Sequence, residues 1–154
     1  MPIQPFPCLW FNHNAKEAAD FYCSIFNNSC ILYDSPMVVN FEIEGRKIMG
    51  LNGGPHFKIN PSISLFVCCI NAAETDRIWN SLMDGGKAIM QLDKYAWSEL
   101  YGWVEDKYGM TWQIMLDEQQ LHGAKIIPSF LFVNEQCGRA QQAITHYCSI
   151  FADS

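Results

Sequence analysis

At 154 residues, 49% of them apolar and 14% aromatic, the chain holds one domain's worth of core-forming material and a remainder. A net charge of −6 argues against nucleic acid, whose binding needs a basic face. No run approaches the ~18 consecutive apolar residues of a membrane span, and no basic segment leads into an apolar one at the N-terminus. Seven cysteines without CxxC or Cys/His zinc spacing are expected as reduced, buried, small apolar residues in a cytoplasmic protein.

The first apolar stretch, Cys8-Leu9-Trp10-Phe11, predicts a short strand ended by Asn12-His13-Asn14. Ala15, Ala18, Ala19, Tyr22, Ile25 and Phe26 then recur at helical spacing and form one stripe. Asn14, with Glu17 three residues on, has the pattern of a capping box. A short strand at Cys30–Tyr33 and a hairpin (Val38–Glu44, then Lys47–Leu51 around Gly45) complete the first half. The same grammar restarts at Ser62–Ile70, a β-rich run followed by Asn71-Ala72-Ala73-Glu74, which repeats the earlier cap 57 residues on. Ile78, Trp79 and Leu82 line that helix, Gly85-Gly86 end it, and Tyr95–Glu99 reads as a loop. Tyr101–Glu105 and Thr111–Leu116 flank the turn at Asp106–Gly109 as a hairpin.

Beyond a polar linker, the chain begins again. Tyr22-Cys23-Ser24-Ile25-Phe26 returns as Tyr147-Cys148-Ser149-Ile150-Phe151, an offset of 125 residues. The same offset maps Ala15, Ala18 and Ser29 onto Ala140, Ala143 and Ser154. Leu9-Trp10-Phe11 matches Leu131-Phe132-Val133 in kind once three residues are inserted. The expected organisation is half-modules at about 5–58 and 60–118 within a 1–118 domain, a linker at 119–125, and an opening strand and helix at 126–154. Each half reads β-α-β-β-β. The fold class is therefore α+β, with a curved mixed sheet and helices outside it. A lone strand and helix are too small for a core of their own. Residues 126–154 are expected to dock on the first unit or on a partner's copy of the segment, giving a homodimer.

Asn52-Gly53-Gly54-Pro55-His56-Phe57, Asp93-Lys94-Tyr95 and the run from Tyr101 to Gln113 resemble signatures of PhnB-like (3-demethylubiquinone 3-methyltransferase-like) proteins. These belong to the glyoxalase/bleomycin-resistance/dioxygenase (vicinal-oxygen-chelate) superfamily, and the likeness covers residues 5–117. The resemblance implies a metal held inside the cup from the first and last strand of each half. Here those positions fall at Pro7, Met49, Ser62 or Ser64, and Gln113. They lack the carboxylates and imidazoles a hard cation needs, so neither metal nor other cofactor is expected. The family also commonly inserts Gly/Pro-rich sequence where Tyr33–Met37 here passes directly into the next strand, which implies a more open mouth. For the methyltransferase label, no Gly-rich strand-to-helix turn is visible, because the glycine pairs follow a strand (Gly53-Gly54) and a helix (Gly85-Gly86).

Trp10, Met49, Asn52, His56, Ser62, Ser64, Trp103 and Gln113 are the candidate ligand-pocket residues. His56 is either a pocket acid–base group or a loop residue tying the halves together. Gln113 either orients a ligand through its amide or satisfies a polar neighbour. Trp10 and Trp103, with Phe11 and Trp112, either stack on a flat ligand or fill the core. Ser62 and Ser64 share a face by strand parity, and neither has an identifiable base. His13, His122 and His146 are expected outside the cup. The leading expectation is a domain that binds an unidentified small molecule without the superfamily metal. The alternatives are a lyase or dioxygenase using ligands such as His56 with Glu105 or Glu42, and an association module.

Overall fold

The computed structural model describes residues 5–119 and 123–151. Residues 120–122 of the expected linker, including His122, and Ser154 of the repeat lie outside the described residues. The first half comprises β1 (Cys8–Phe11), α1 (Ala15–Ile25), β2 (Ser29–Asp34), β3 (Val38–Ile43) and β4 (Arg46–Asn52). The second comprises β5 (Ile63–Cys69), α2 (Ala72–Met83), β6 (Lys87–Tyr95), β7 (Ser98–Glu105) and β8 (Thr111–Leu116). A third start follows as β9 (Ile126–Phe130), a short 3-10 turn at Asn134–Gln136, and α3 (Ala140–Ile150).

The fold is α+β, with two mixed sheets that do not close into a barrel. Their strand orders are β1-β4-β3-β2 and β6-β7-β8-β5-β9. In each half the first strand runs parallel to the last, and the other pairings are antiparallel. Strand parity divides each sheet into a helix-covered face and an open face. In β3, Val39, Phe41 and Ile43 are buried under α1, while Val38, Asn40 and Glu42 lie on the open side.

The helix caps are made by different means. Asn71 caps α2 locally, accepting from the Glu74 N–H (2.9 Å), and Glu74 accepts from the Ile70 N–H in return (3.0 Å). In α1 the expected box is replaced. Asn14 makes no side-chain cap, and the Ala15 N–H donates instead to Asn52 Oδ1 from β4 (2.9 Å). Glu17 is engaged elsewhere, accepting from the Tyr108 hydroxyl (3.0 Å). The expected loop at Tyr95–Glu99 is a tight hairpin, with Tyr95 paired to Ser98 and Tyr95 stacked on Trp97 (5.0 Å between centroids). Burial of the cysteines also departs from expectation. Among the described residues none of the seven is joined in a disulfide, but only Cys68 and Cys69 are buried, and Cys8, Cys30, Cys137 and Cys148 are exposed.

The halves share one core. Trp112 of β8, fully buried, stacks on Phe26 (5.6 Å), the residue after α1, and meets Tyr22 of α1 edge-on (5.0 Å). Arg77 of α2 donates to the Ile25 carbonyl at the end of α1 (2.7 Å). Trp112 is held in turn by Asp106, whose Oδ2 accepts its indole N–H (2.8 Å). The other oxygen, Oδ1, accepts the Tyr108 and Met110 amides (2.8 and 3.1 Å) and so fixes the β7–β8 turn. Burial pushes the Asp106 carboxyl above its ordinary value, against these hydrogen bonds.

The third start docks on the first unit through its strand. β9 lies antiparallel on β5, with Ser129 opposite Ser64 and Pro128 opposite Leu65. Cys68 N donates to Lys125 O and Leu131 N to Ser62 O, so the odd-numbered residues of β9 face β5. Ile126, Pro128 and Phe130 therefore direct their backbone outward, and Arg46 Nε binds the Ile126 carbonyl there (3.3 Å). α3 repeats the α1 stripe without its burial. Ile144 and Tyr147 are 55% and 49% exposed, whereas their α1 counterparts Ala19 and Tyr22 are fully buried.

Replacing Asp106 by Asn sets an amide N–H₂ against the Trp112 indole donor and should cost about 1–3 kcal/mol in denaturant unfolding. Because its pKa is raised on folding, wild-type stability should fall as pH rises through the range just above the ordinary aspartate value. That component should be missing from Asp106→Asn.

Candidate functional site

The open face of the second sheet carries a closed polar network. Gln113 of β8 and Ser64 of β5 lie on adjacent strands with the same parity. Gln113 Nε2 donates to Ser64 Oγ at 2.6 Å and reaches Ser129 Oγ of β9 at 3.4 Å. Gln113 Oε1 accepts the Tyr101 hydroxyl from β7 at 2.7 Å. Tyr101 is almost buried, and that desolvation, followed by the neighbouring Tyr95, pushes its pKa up to about 12. The phenol thus stays a donor at physiological pH.

Aromatic rings wall this network. Tyr101 meets Tyr95 edge-on (5.9 Å) and Trp97 likewise (6.2 Å), and Phe66 lies tilted beside it (6.5 Å). Trp97 is 65% exposed, so its stacked pair with Tyr95 forms an open-sided rim. Trp103, two residues along β7 from Tyr101, has its indole nitrogen buried without a hydrogen-bond partner among the described residues.

The corresponding place in the first half is apolar. Pro7 and Met49 meet there through the backbone, the Met49 N–H donating to the Pro7 carbonyl (2.9 Å). Trp10 points its indole N–H at the Gly54 carbonyl (2.8 Å) and packs edge-on against Phe57 (5.0 Å). A side chain at Gly53 would enter that indole, its Cβ lying 2.1 Å from the ring. Gly53 therefore serves the tryptophan. Asn52 spends its amide on Ala15 and on the Pro36 carbonyl (2.9 Å). His56 is exposed in the loop between the halves.

A separate cleft of about 650 Å³ opens between β1 and β9. Its walls are mostly apolar, with Phe6, Ile63, Pro128 and Phe130 prominent; Trp10 and Ser62 border it, and Lys58 is its one charged group. The eight sequence candidates therefore do not form one pocket. Ser64 and Gln113 are bonded, Trp10 and Ser62 border the cleft, and Met49 and Trp103 lie on separate sheets. Tyr101, Tyr95 and Ser129 were missed. Tyr101 could have been found, because it shares a face with Trp103 two residues away.

The donor set does not fit the superfamily metal. The first-strand and last-strand positions bring together Pro7 with Met49 and Ser64 with Gln113, all neutral. Among the described residues no three His, Cys, Asp or Glu side chains gather as a metal site, and His56, Glu42 and Glu105 are no exception. Glu105 is instead paired with Lys87 (3.0 Å).

A family model described as 3-demethylubiquinone-9 3-methyltransferase matches residues 4–115. The chain belongs to that family. A solved structure titled a putative 3-demethylubiquinone-9 3-methyltransferase, PhnB protein, from Bacillus cereus is 31% identical. The likeness covers 75% of this chain and 100% of that one, with a TM-score of 0.69. A Pseudomonas aeruginosa protein is 24% identical over 75% of this chain and 98% of its own (TM-score 0.64), which speaks to fold alone. So does the fosfomycin resistance protein FosX of Listeria monocytogenes, 14% identical over 78% and 94% (TM-score 0.58). No protein of curated function matches the chain. The PhnB-like family thus lies within the glyoxalase/bleomycin-resistance fold, and no described helix is long and apolar enough to cross a membrane.

Gly53→Ala should displace the Trp10 indole. We expect a loss of about 1–3 kcal/mol and a change in tryptophan emission relative to Trp10→Phe, which carries no such clash.

Proposed function

We propose that this PhnB-like domain binds a small, planar, uncharged molecule on the open face of its second sheet, without a metal ion. The observation that carries the reading is the Tyr101–Gln113–Ser64 network. It fills the place of a first-strand and last-strand metal pair with a neutral amide held by a phenol and a hydroxyl. With both N–H groups of the Gln113 amide given to Ser64 and Ser129, its Oε1, oriented by Tyr101, keeps one lone pair for a ligand N–H, and the Tyr95–Trp97 pair supplies a surface for stacking. The methyltransferase name finds no support in the glycines. Gly53 makes room for Trp10, and Gly86 sits where a Cβ would lie 2.6 Å from the Glu105 and Leu82 carbonyls.

The test is thermal shift against benzamide, nicotinamide and benzoate, using protein purified without a His-tag and analysed for metals. The amides should raise the melting temperature and benzoate should not. The rise should vanish in Gln113→Leu and persist in His56→Ala. Stoichiometric zinc, nickel, manganese or iron would overturn the reading in favour of a metal-dependent lyase or dioxygenase. Spectrophotometric titration provides an independent check: Tyr101→Phe should remove one phenol ionising at about 12.

A further inference from the structure

We infer that Ser129, carried by β9 to the open face of the second sheet, sets which hydrogen-bonding groups that site accepts. The inference rests on the ligand reading given above and names the determinant of its specificity. A primary amide has two N–H donors and one oxygen with two lone pairs. Gln113 gives one N–H to Ser64 (2.6 Å) and the other to Ser129 (3.4 Å), and its Oε1 takes the Tyr101 hydroxyl (2.7 Å). With Ser129 in place, a single lone pair is all the amide has left. Gln113 then answers only to a donor, so the ligand belongs to the class of flat molecules that offer an N–H. With no hydroxyl at 129 one N–H of Gln113 is released, and the same amide can hold a carbonyl.

The main chain brings Ser129 to this place. β9 lies on β5 with Ser129 opposite Ser64, so both hydroxyls stand on the face that carries Gln113. Lys125 and Glu74, both mostly buried, form an ion pair just ahead of β9 (2.5 Å), and Arg46 binds the Ile126 carbonyl at its start. Leu131 stands 122 residues after Leu9, and the same step carries Pro7 onto Ser129. Equivalent first-strand positions of two modules, Ser64 and Ser129, therefore converge on one amide. The bond to Ser129 is the longer of the two, and Ser129 is only half-buried, so it is the one a substitution releases at small structural cost.

Thermal-shift titrations of the full chain with aniline, a donor, and acetophenone, an acceptor, test this. Wild type should bind aniline about three- to tenfold more tightly than acetophenone, the difference one hydrogen bond makes. Ser129→Ala should tighten acetophenone by a similar factor and leave aniline unchanged, a selective gain that a merely loosened strand would not produce. Ser129→Thr, which keeps the hydroxyl, should behave as wild type. Acetophenone that gains nothing in Ser129→Ala, while benzamide still stabilises wild type, overturns the inference and leaves the site standing. Benzamide that fails to stabilise wild type overturns both. Should Ser129→Ala not fold, wild type that binds acetophenone as tightly as aniline is itself enough to overturn the inference.

Discussion

One buried carboxylate organises the junction of the two halves. Asp106 closes the β7–β8 turn with one oxygen and holds the Trp112 indole with the other. Trp112 then presents its ring to Tyr22 and Phe26 of the opposite half. A carboxylate is costly to bury, and the rise in its pKa is the trace of that cost. What it gains is direction. A purely apolar residue at 106 would fill space but would fix neither the turn nor the rotamer of the tryptophan. The Tyr22 hydroxyl, beside Asp106 without a hydrogen bond of good geometry, shows how little slack the arrangement leaves.

The two open faces have diverged while their frames have stayed alike. In one half the first-to-last strand contact is Pro7 against Met49, in the other Ser64 against Gln113. The backbone relation is the same, and only the second carries hydrogen-bonding side chains. At this contact polarity is thus confined to the second sheet, where every member of the triad has a partner and no net charge is carried. A site of this kind distinguishes shape and hydrogen-bond pattern more than charge, and its recognition would be little affected by salt.

The periodic features of the chain were legible in its sequence. The stripe of Ala15, Ala18, Ala19, Tyr22, Ile25 and Phe26 named its helix face correctly, as did Ile78, Trp79 and Leu82. Local spacing reports what a helix or strand must bury, so such elements need no knowledge of the rest. The α1 cap was illegible because its acceptor, Asn52, sits 37 residues away on another strand. The Tyr95–Ser98 hairpin was illegible because its turn contains no Gly, Pro or Asn and is stabilised by ring stacking. Gln113 and Ser64 were found singly, but their bond depends on the parallel register of β5 and β8, which alternation alone does not set.

Pro128 has a consequence for assembly as a whole. A molecule with two open sheet edges of compatible chemistry joins to its neighbours at both, and each addition recreates the edge that recruited it. Growth of that kind has no natural end. With proline at the middle of β9, facing outward, the β9 edge of the second sheet offers no central donor, and Arg46 occupies the adjacent carbonyl. That edge is thereby made terminal. The imino acid does not strengthen the strand; it limits how far order can spread from it.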